Sequence, residues 1–162
     1  EVNHKVIDLW KECRSRWSPY HKKTDEGYYL DKHKCLHIEK GRIRLPNGMC
    51  IYYPNLRWDT SQPQGEFVYD SRRGTVGIWG GSVVENVVQA LARIVIGEQM
   101  IKVSREYPVV LTVHDAIVSV APEEEKDIAL EKIMKIMSEP PEWGKDLPIA
   151  CEGGYANNYG DC

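Results

Sequence analysis

The stretch 82–120 decides how this chain folds: SVVENVVQALARIVIGEQM at 82–100, then VVLTVHDAIVSV at 109–120. In the first part Val83, Val84, Val87, Val88, Leu91, Ile94 and Val95 recur at three- and four-residue steps, which predicts a helix with a broad apolar face. In the second, the β-branched runs Val109–Val113 and Ile117–Val120 are split by His114-Asp115-Ala116, the pattern of a hairpin with a polar tip.

Working outward, Pro122-Glu123-Glu124-Glu125 opens a second helix. Proline is tolerated in a first turn, and acids complement the positive end of the helix dipole. Ala129, Leu130, Ile133, Met134 and Met137 give this helix a core face, Pro140-Pro141 ends it, and Leu147–Cys151 reads as a last short strand. Upstream, Arg42–Leu45 and Met49–Tyr53 flank Pro46-Asn47-Gly48. Asn-Gly between β-prone runs supplies the positive φ that a tight hairpin needs. Alternation over Tyr28–Ile38 suggests short strands or an extended loop, and Pro54–Gly80, without periodicity, reads as a long surface connection. Val2, Val6, Leu9, Trp10, Cys13 and Trp17 form one stripe of a helix over 2–17 that stops at Ser18-Pro19. The order of elements predicts an α+β fold, an antiparallel sheet built of β-hairpins with helices packed on one face.

With 162 residues the chain is long enough for one compact domain. No apolar run approaches the length of a bilayer span, so no membrane partner is expected. The first residue is Glu1, consistent with a piece of a longer protein. Five scattered cysteines without a C-x-x-C pair point to free thiols in a reducing cytoplasm. A net charge of −3 counts against autonomous DNA binding.

Three groups of residues could carry chemistry. Asp115 beside His114 at a strand tip offers a hard oxygen ligand on a rigid support, the kind used for Mg²⁺ in two-metal nucleotidyl transfer. Turns also favour Asp for backbone reasons, which makes the dipeptide weak alone. Asn86, Gln89 and Arg93 fall in a narrow arc opposite the valine face, and amides and guanidinium suit base edges and phosphates. His33-x-Cys35-x-His37 could project three ligands from one strand face but lacks a companion cluster; a solvent-facing alternation is the better reading. Gly77-x-x-Gly80-Gly81 lacks the Lys-Ser/Thr of a phosphate loop.

Taken together, these pieces resemble phage-type family A (polymerase I-like) DNA polymerases. Trp79-Gly80-Gly81-Ser82-Val83-Val84-Glu85-Asn86-Val87-Val88-Gln89-Ala90-Leu91-Ala92-Arg93 is similar to that family's "YGG-x-x-x-EN-x-x-QA-x-AR" helix, and Val113-His114-Asp115 to its motif C, "VHDE". Arg44-Leu45-Pro46-Asn47-Gly48 with Tyr52-Tyr53-Pro54 resembles the "LPSGR…YY" hairpin, and Trp143, Leu147-Pro148 and Glu152-Gly153 resemble its ending. The resemblance runs in family order from about residue 2 to 160. It implies a C-terminal palm/fingers fragment. Residues 1–80 would be a fingers-side helix, hairpin and connecting loop, and 81–162 the palm helix, motif C hairpin, helix and tail. The implied activity is addition of deoxynucleotides to a primer 3′ end on a DNA template. Asp115 would be one of two Mg²⁺-binding aspartates, His114 would lie by the primer terminus, and Asn86, Gln89 and Arg93 would line the DNA. The implied partners are primer-template DNA, deoxynucleoside triphosphates and the missing upstream part of the polymerase, in a bacterial host's cytoplasm with a phage or prophage gene.

Departures from the family pattern limit what is expected. Ala116 stands where the family has Glu, and Ile94 where it has Asp. The motif A aspartate and the Lys/Tyr-bearing motif B helix lie upstream in the family, so the fragment alone is expected to be inactive. Two amphipathic helices without their neighbours create an expectation of self-association. The rival readings are a degenerate palm serving as a non-catalytic DNA-binding or assembly module, and an unrelated α+β interaction protein.

Overall fold

The computed structural model describes residues 28–161 except Lys32 and Gln62, with Tyr28 by its backbone only. The helix expected over 2–17 lies outside the described residues, as do Cys13 and Cys162. In chain order come β1 (Tyr28–Tyr29), β2 (His37–Glu39), β3 (Arg42–Arg44), β4 (Cys50–Tyr52), β5 (Arg57–Asp59), β6 (Glu66–Ser71) and β7 (Gly74–Ile78). Helix α1 (Gly80–Val103), β8 (Val109–Val113), β9 (Ala116–Ser119) and α2 (Lys126–Met137) follow. The α+β expectation holds, and every strand pair among the described residues is antiparallel. The strands form three small sheets, β1-β2-β3-β4, β5-β6-β7 and β8-β9. The chain divides into two compact units, Glu1–Ala90 and Leu91–Cys162, so α1 runs from the first into the second.

In the first unit, β3 and β4 form the expected hairpin, pairing Ile43 with Ile51 and Arg44 with Cys50. The turn differs in detail. Leu45 N–H donates to the Met49 carbonyl at 2.8 Å and Gly48 N–H to the Leu45 carbonyl at 2.9 Å, so the loop is three residues, Pro46–Gly48. Only Gly48 takes positive φ, +84°, as the last position of a three-residue hairpin loop requires. Asn47 stays outside that region and accepts the Met49 N–H through Oδ1. Ile38, Ile43, Leu45, Tyr53, Val68, Val83 and Val87 are buried here.

Residues 54–80 correct the expected long connection: they hold the meander β5-β6-β7. Its hairpin turns at Arg72-Arg73, where Ser71 pairs with Gly74. Val68 and Ile78 are its buried side chains, and the remaining strand positions are half-buried or exposed. Such strands show no clean alternation, and the Gly, Ser and Pro between them read as loop. Arg57 is held on this sheet by Asp70 Oδ1 at 2.9 Å, and Asn55 donates to Asp70 Oδ2 at 2.8 Å.

In the second unit, α2 begins with a single 3₁₀ turn at Glu123–Glu125, and Pro141 lies buried beyond its end. Gln99, 3% exposed, donates from Nε2 to the carbonyls of Met137 (2.7 Å) and Glu139 (3.2 Å). It thereby satisfies acceptors that the helix end leaves without intrahelical partners. Lys102 with Glu139 and Lys132 with Glu106 add exposed ion pairs, each 2.9 Å. The strand expected over Leu147–Cys151 is absent: Ile149 N–H turns back to the Leu147 carbonyl, and Pro148 has no N–H to give a ladder. The tail instead lies along α2, with Gly153 against Leu130 and Met134 and the Tyr155 hydroxyl donating to Asp127. No helix among the described residues is long and apolar enough to cross a membrane.

Candidate functional site

The hairpin β8-β9 is closed at its base by Ser119 and Val120, whose Oγ–H and N–H donate to the Pro108 carbonyl at 2.8 and 3.1 Å. A bulge at Val110 shifts the register, which then runs Leu111–Val118, Thr112–Ile117 and Val113–Ala116. Bulges increase local twist and re-aim the end of a ribbon. The tip is therefore the two residues His114 and Asp115, both exposed. His114 has φ +54°, a conformation that two-residue hairpin loops demand and glycine usually fills. Holding a histidine there costs about 1–2 kcal/mol of backbone strain, and such positions cluster where a side chain has work to do.

On α1, Asn86, Gln89 and Arg93 follow one another at helical spacing, as predicted. Their surroundings differ. Asn86 is half-buried and donates from Nδ2 to the hydroxyl of buried Tyr53 at 3.0 Å, a bond that ties α1 to the chain just past β4. Gln89 is exposed and donates to Glu85 one turn earlier at 3.1 Å. Arg93 is exposed. The apolar face is narrower than the sequence suggests: Val83, Val87 and Ile94 are buried, whereas Val88 is 58% exposed. At the start of the helix the Trp79 ring lies over Gly81, where a Cβ would come within 2.2 Å of ring carbons. Close approach of that ring is what the second glycine of Trp79-Gly80-Gly81 permits. Asn86 and Gln89 belong to the first unit; Arg93, His114 and Asp115 belong to the second.

The His33-x-Cys35-x-His37 alternation is not a ligand face. His33 and Cys35 lie on the loop between β1 and β2, organised by Asp31, whose carboxylate accepts the N–H groups of His33 (2.9 Å), Cys35 (3.2 Å) and Leu36 (2.8 Å) and the Cys35 thiol (3.2 Å). His37 instead sits 3.2 Å from Glu39 and edge-on to Tyr29. Burial, then the hydrogen bond and charge of Asp31, push the Cys35 thiol up to about 12. Burial alone would raise Asp31, but the donors from Leu36, Cys35 and His33 outweigh it and hold the carboxyl below its usual range. Two results are expected. Cys35 should resist an aromatic disulfide reagent at pH 8, and Asp31→Asn should speed its modification, read by mass spectrometry of the labelled peptide. Because Asp31 is depressed, its support for the loop is complete above the ordinary aspartate value of about 3.9 and is lost as pH falls through the lower folded value. Amide exchange at Leu36 should therefore accelerate only in strong acid.

No group of three or more His, Cys, Asp or Glu side chains able to hold a metal ion occurs among the described residues. Sequence reasoning missed three residues that organise the structure: Asp31, Tyr53 and Gln99. Of these, only Asp31 had a local signal, an acid at the mouth of a short polar loop.

The chain is similar to the DNA polymerase of Bacillus phage SP02, being 30% identical over 125 residues that cover 72% of this chain and 19% of that protein. It thus spans about a fifth of the length of the curated relative it matches, and it is related to a DNA polymerase through that stretch. No family model matches, and no solved structure does.

Proposed function

We propose that this chain is the C-terminal palm/fingers part of a phage-type family A DNA polymerase, and that the β8-β9 tip is its motif C. The observation that carries the proposal is the tip itself: an exposed aspartate on a two-residue turn, preceded by a histidine held at φ +54°. The likeness to a phage DNA polymerase supports it. Asp115 would stand as one carboxylate of the metal-binding pair, with His114 beside the primer terminus. Gln89, Arg93 and the outer edge of Asn86 would line the primer-template.

The residues described here do not themselves fit a two-metal centre. Ala116 occupies the place where a second carboxylate would help, and no cluster of metal-binding side chains gathers around Asp115 among the described residues. Mg²⁺ would require the upstream motif A aspartate, and deoxynucleoside triphosphate would require the upstream motif B helix. The chain by itself is therefore expected not to polymerise, and to bind Mn²⁺ weakly in a paramagnetic titration.

The test is a chimera in which this chain replaces the matching stretch of the Bacillus phage SP02 polymerase. The chimera should extend a labelled primer on a DNA template, and the isolated chain should not. Photocrosslinkers at positions 89 and 114 of the chimera should label the same primer-template. A folded chimera that binds DNA without extending primers would favour the other reading, a non-catalytic palm module, for which Ala116 is the specific observation.

A further inference from the structure

The outward face of the sheet β1–β4 lies in the first unit and is used by none of the residues assigned above. Strand register sets Tyr29, His37, Arg44 and Cys50 in one row and Glu39, Arg42 and Tyr52 in the next. The opposite face buries Ile38 and Ile43. Tyr52 is 61% exposed and Tyr29 44%, large aromatic surfaces left in solvent on an otherwise polar face. Lys34 Nζ sits 5.9 Å from the centre of the Tyr29 ring. Arg42 and Arg44 are both exposed and converge on Glu39, Arg44 at 3.4 Å and Arg42 in direct contact. In a chain of net charge −3, residues 28–53 carry Lys32, Lys34, Lys40, Arg42 and Arg44 against only Asp31 and Glu39.

We propose that this face binds single-stranded DNA, with unpaired bases stacking on Tyr52 and Tyr29 and phosphates held by Arg42 and Arg44. The chemistry of the face selects that partner. Bases stack on exposed aromatic rings only when they are unpaired, and aromatic rings on the open face of a sheet can serve as the stacking platform. Guanidinium groups complement phosphate in charge and in hydrogen-bonding geometry. Tyr29 and Tyr52 stand on the outer strands, about 14 Å apart across the sheet and about 7 Å apart along it, so they would take separate bases with intervening phosphates over the arginines. Glu39 keeps the two guanidinium groups together but subtracts from their pull on a polyanion. The inference rests on the sheet face alone and holds whether or not Asp115 takes part in catalysis.

The test is fluorescence anisotropy of a labelled oligodeoxythymidine of about 16 nucleotides titrated with the full chain at low salt. Saturable binding is expected. Tyr52→Ala should weaken it about tenfold while Tyr52→Phe retains it, since stacking needs the ring and not the hydroxyl. Arg44→Gln should flatten the dependence of log K on log salt by about 0.7. Glu39→Gln should tighten binding, and Lys145→Gln, on an exposed pair with Glu142 far along the chain, should not change it. Absence of binding, equal binding by Tyr52→Ala, or tighter binding of a duplex of the same length would each overturn the proposal. Tyr52 is exposed, so its variants should keep the wild-type circular dichroism spectrum. Because the chain alone is not expected to extend primers, failure here leaves the polymerase proposal standing, and failure of the chimera leaves this one standing.

Discussion

Asp115→Asn in the chimeric polymerase should lower primer extension about a thousandfold, the loss of roughly 4 kcal/mol of transition-state stabilisation expected when the carboxylate proposed to bind metal loses its charge. The substitution is nearly isosteric, and the side chain is exposed at the end of a ribbon whose pairing does not depend on it. DNA binding and thermal stability should therefore stay close to wild type, so the loss belongs to the chemical step. His114→Gly makes a useful companion. Glycine relieves the left-handed backbone at φ +54° and should raise stability by about 1 kcal/mol while removing the imidazole from the tip. A more stable but slower enzyme would show that the strain is kept for the side chain. If both variants extend primers at the wild-type rate, the tip is an ordinary hairpin turn and the assignment of motif C fails.

Gln99→Leu should destabilise the second unit by about 2–4 kcal/mol, a melting shift of roughly 10 °C. The leucine fits a buried position by volume but cannot donate. The carbonyls of Met137 and Glu139, at the end of α2 and just past it, then lose the amide that serves both at 2.7 and 3.2 Å. Leaving buried acceptors without donors costs more than an ordinary hydrogen bond contributes, because desolvation is no longer offset. Arg93→Ala, on an exposed stretch of the same helix, should change stability by no more than about 0.5 kcal/mol. Differential scanning calorimetry separates the two. Equal melting temperatures would mean that water replaces the amide and that Gln99 is not what fastens the end of α2.

Much of the secondary structure was legible in the sequence. The helix over 82–100, the hairpin around His114-Asp115, the hairpin at Pro46-Asn47-Gly48 and the helix after Pro122 are all written in local periodicity and turn chemistry. These signals operate within a few residues, so a linear reading captures them. The meander over 57–78 escaped because its strands bury little more than Val68 and Ile78, and pairing between half-exposed strands leaves no alternation to read. The strand expected over 147–151 failed for the opposite reason: its residues looked β-prone, but no neighbouring edge pairs with them and the backbone bonds to itself.

Among the candidate site residues, the sequence by itself determined identity and spacing: an aspartate and a histidine on a hairpin tip, and a polar stripe along a helix. It could not tell that Asn86 is tied to Tyr53, 33 residues away, or that Gln99 fastens the end of α2, 38 residues on. Nor could it show that Asp31 gathers the loop that raises Cys35, or that Tyr29, Tyr52, Arg42 and Arg44 share one sheet face. Those relations depend on strand register and on which polar atoms burial forces into partnership. Both are set by packing between segments distant in the chain, which local periodicity does not encode.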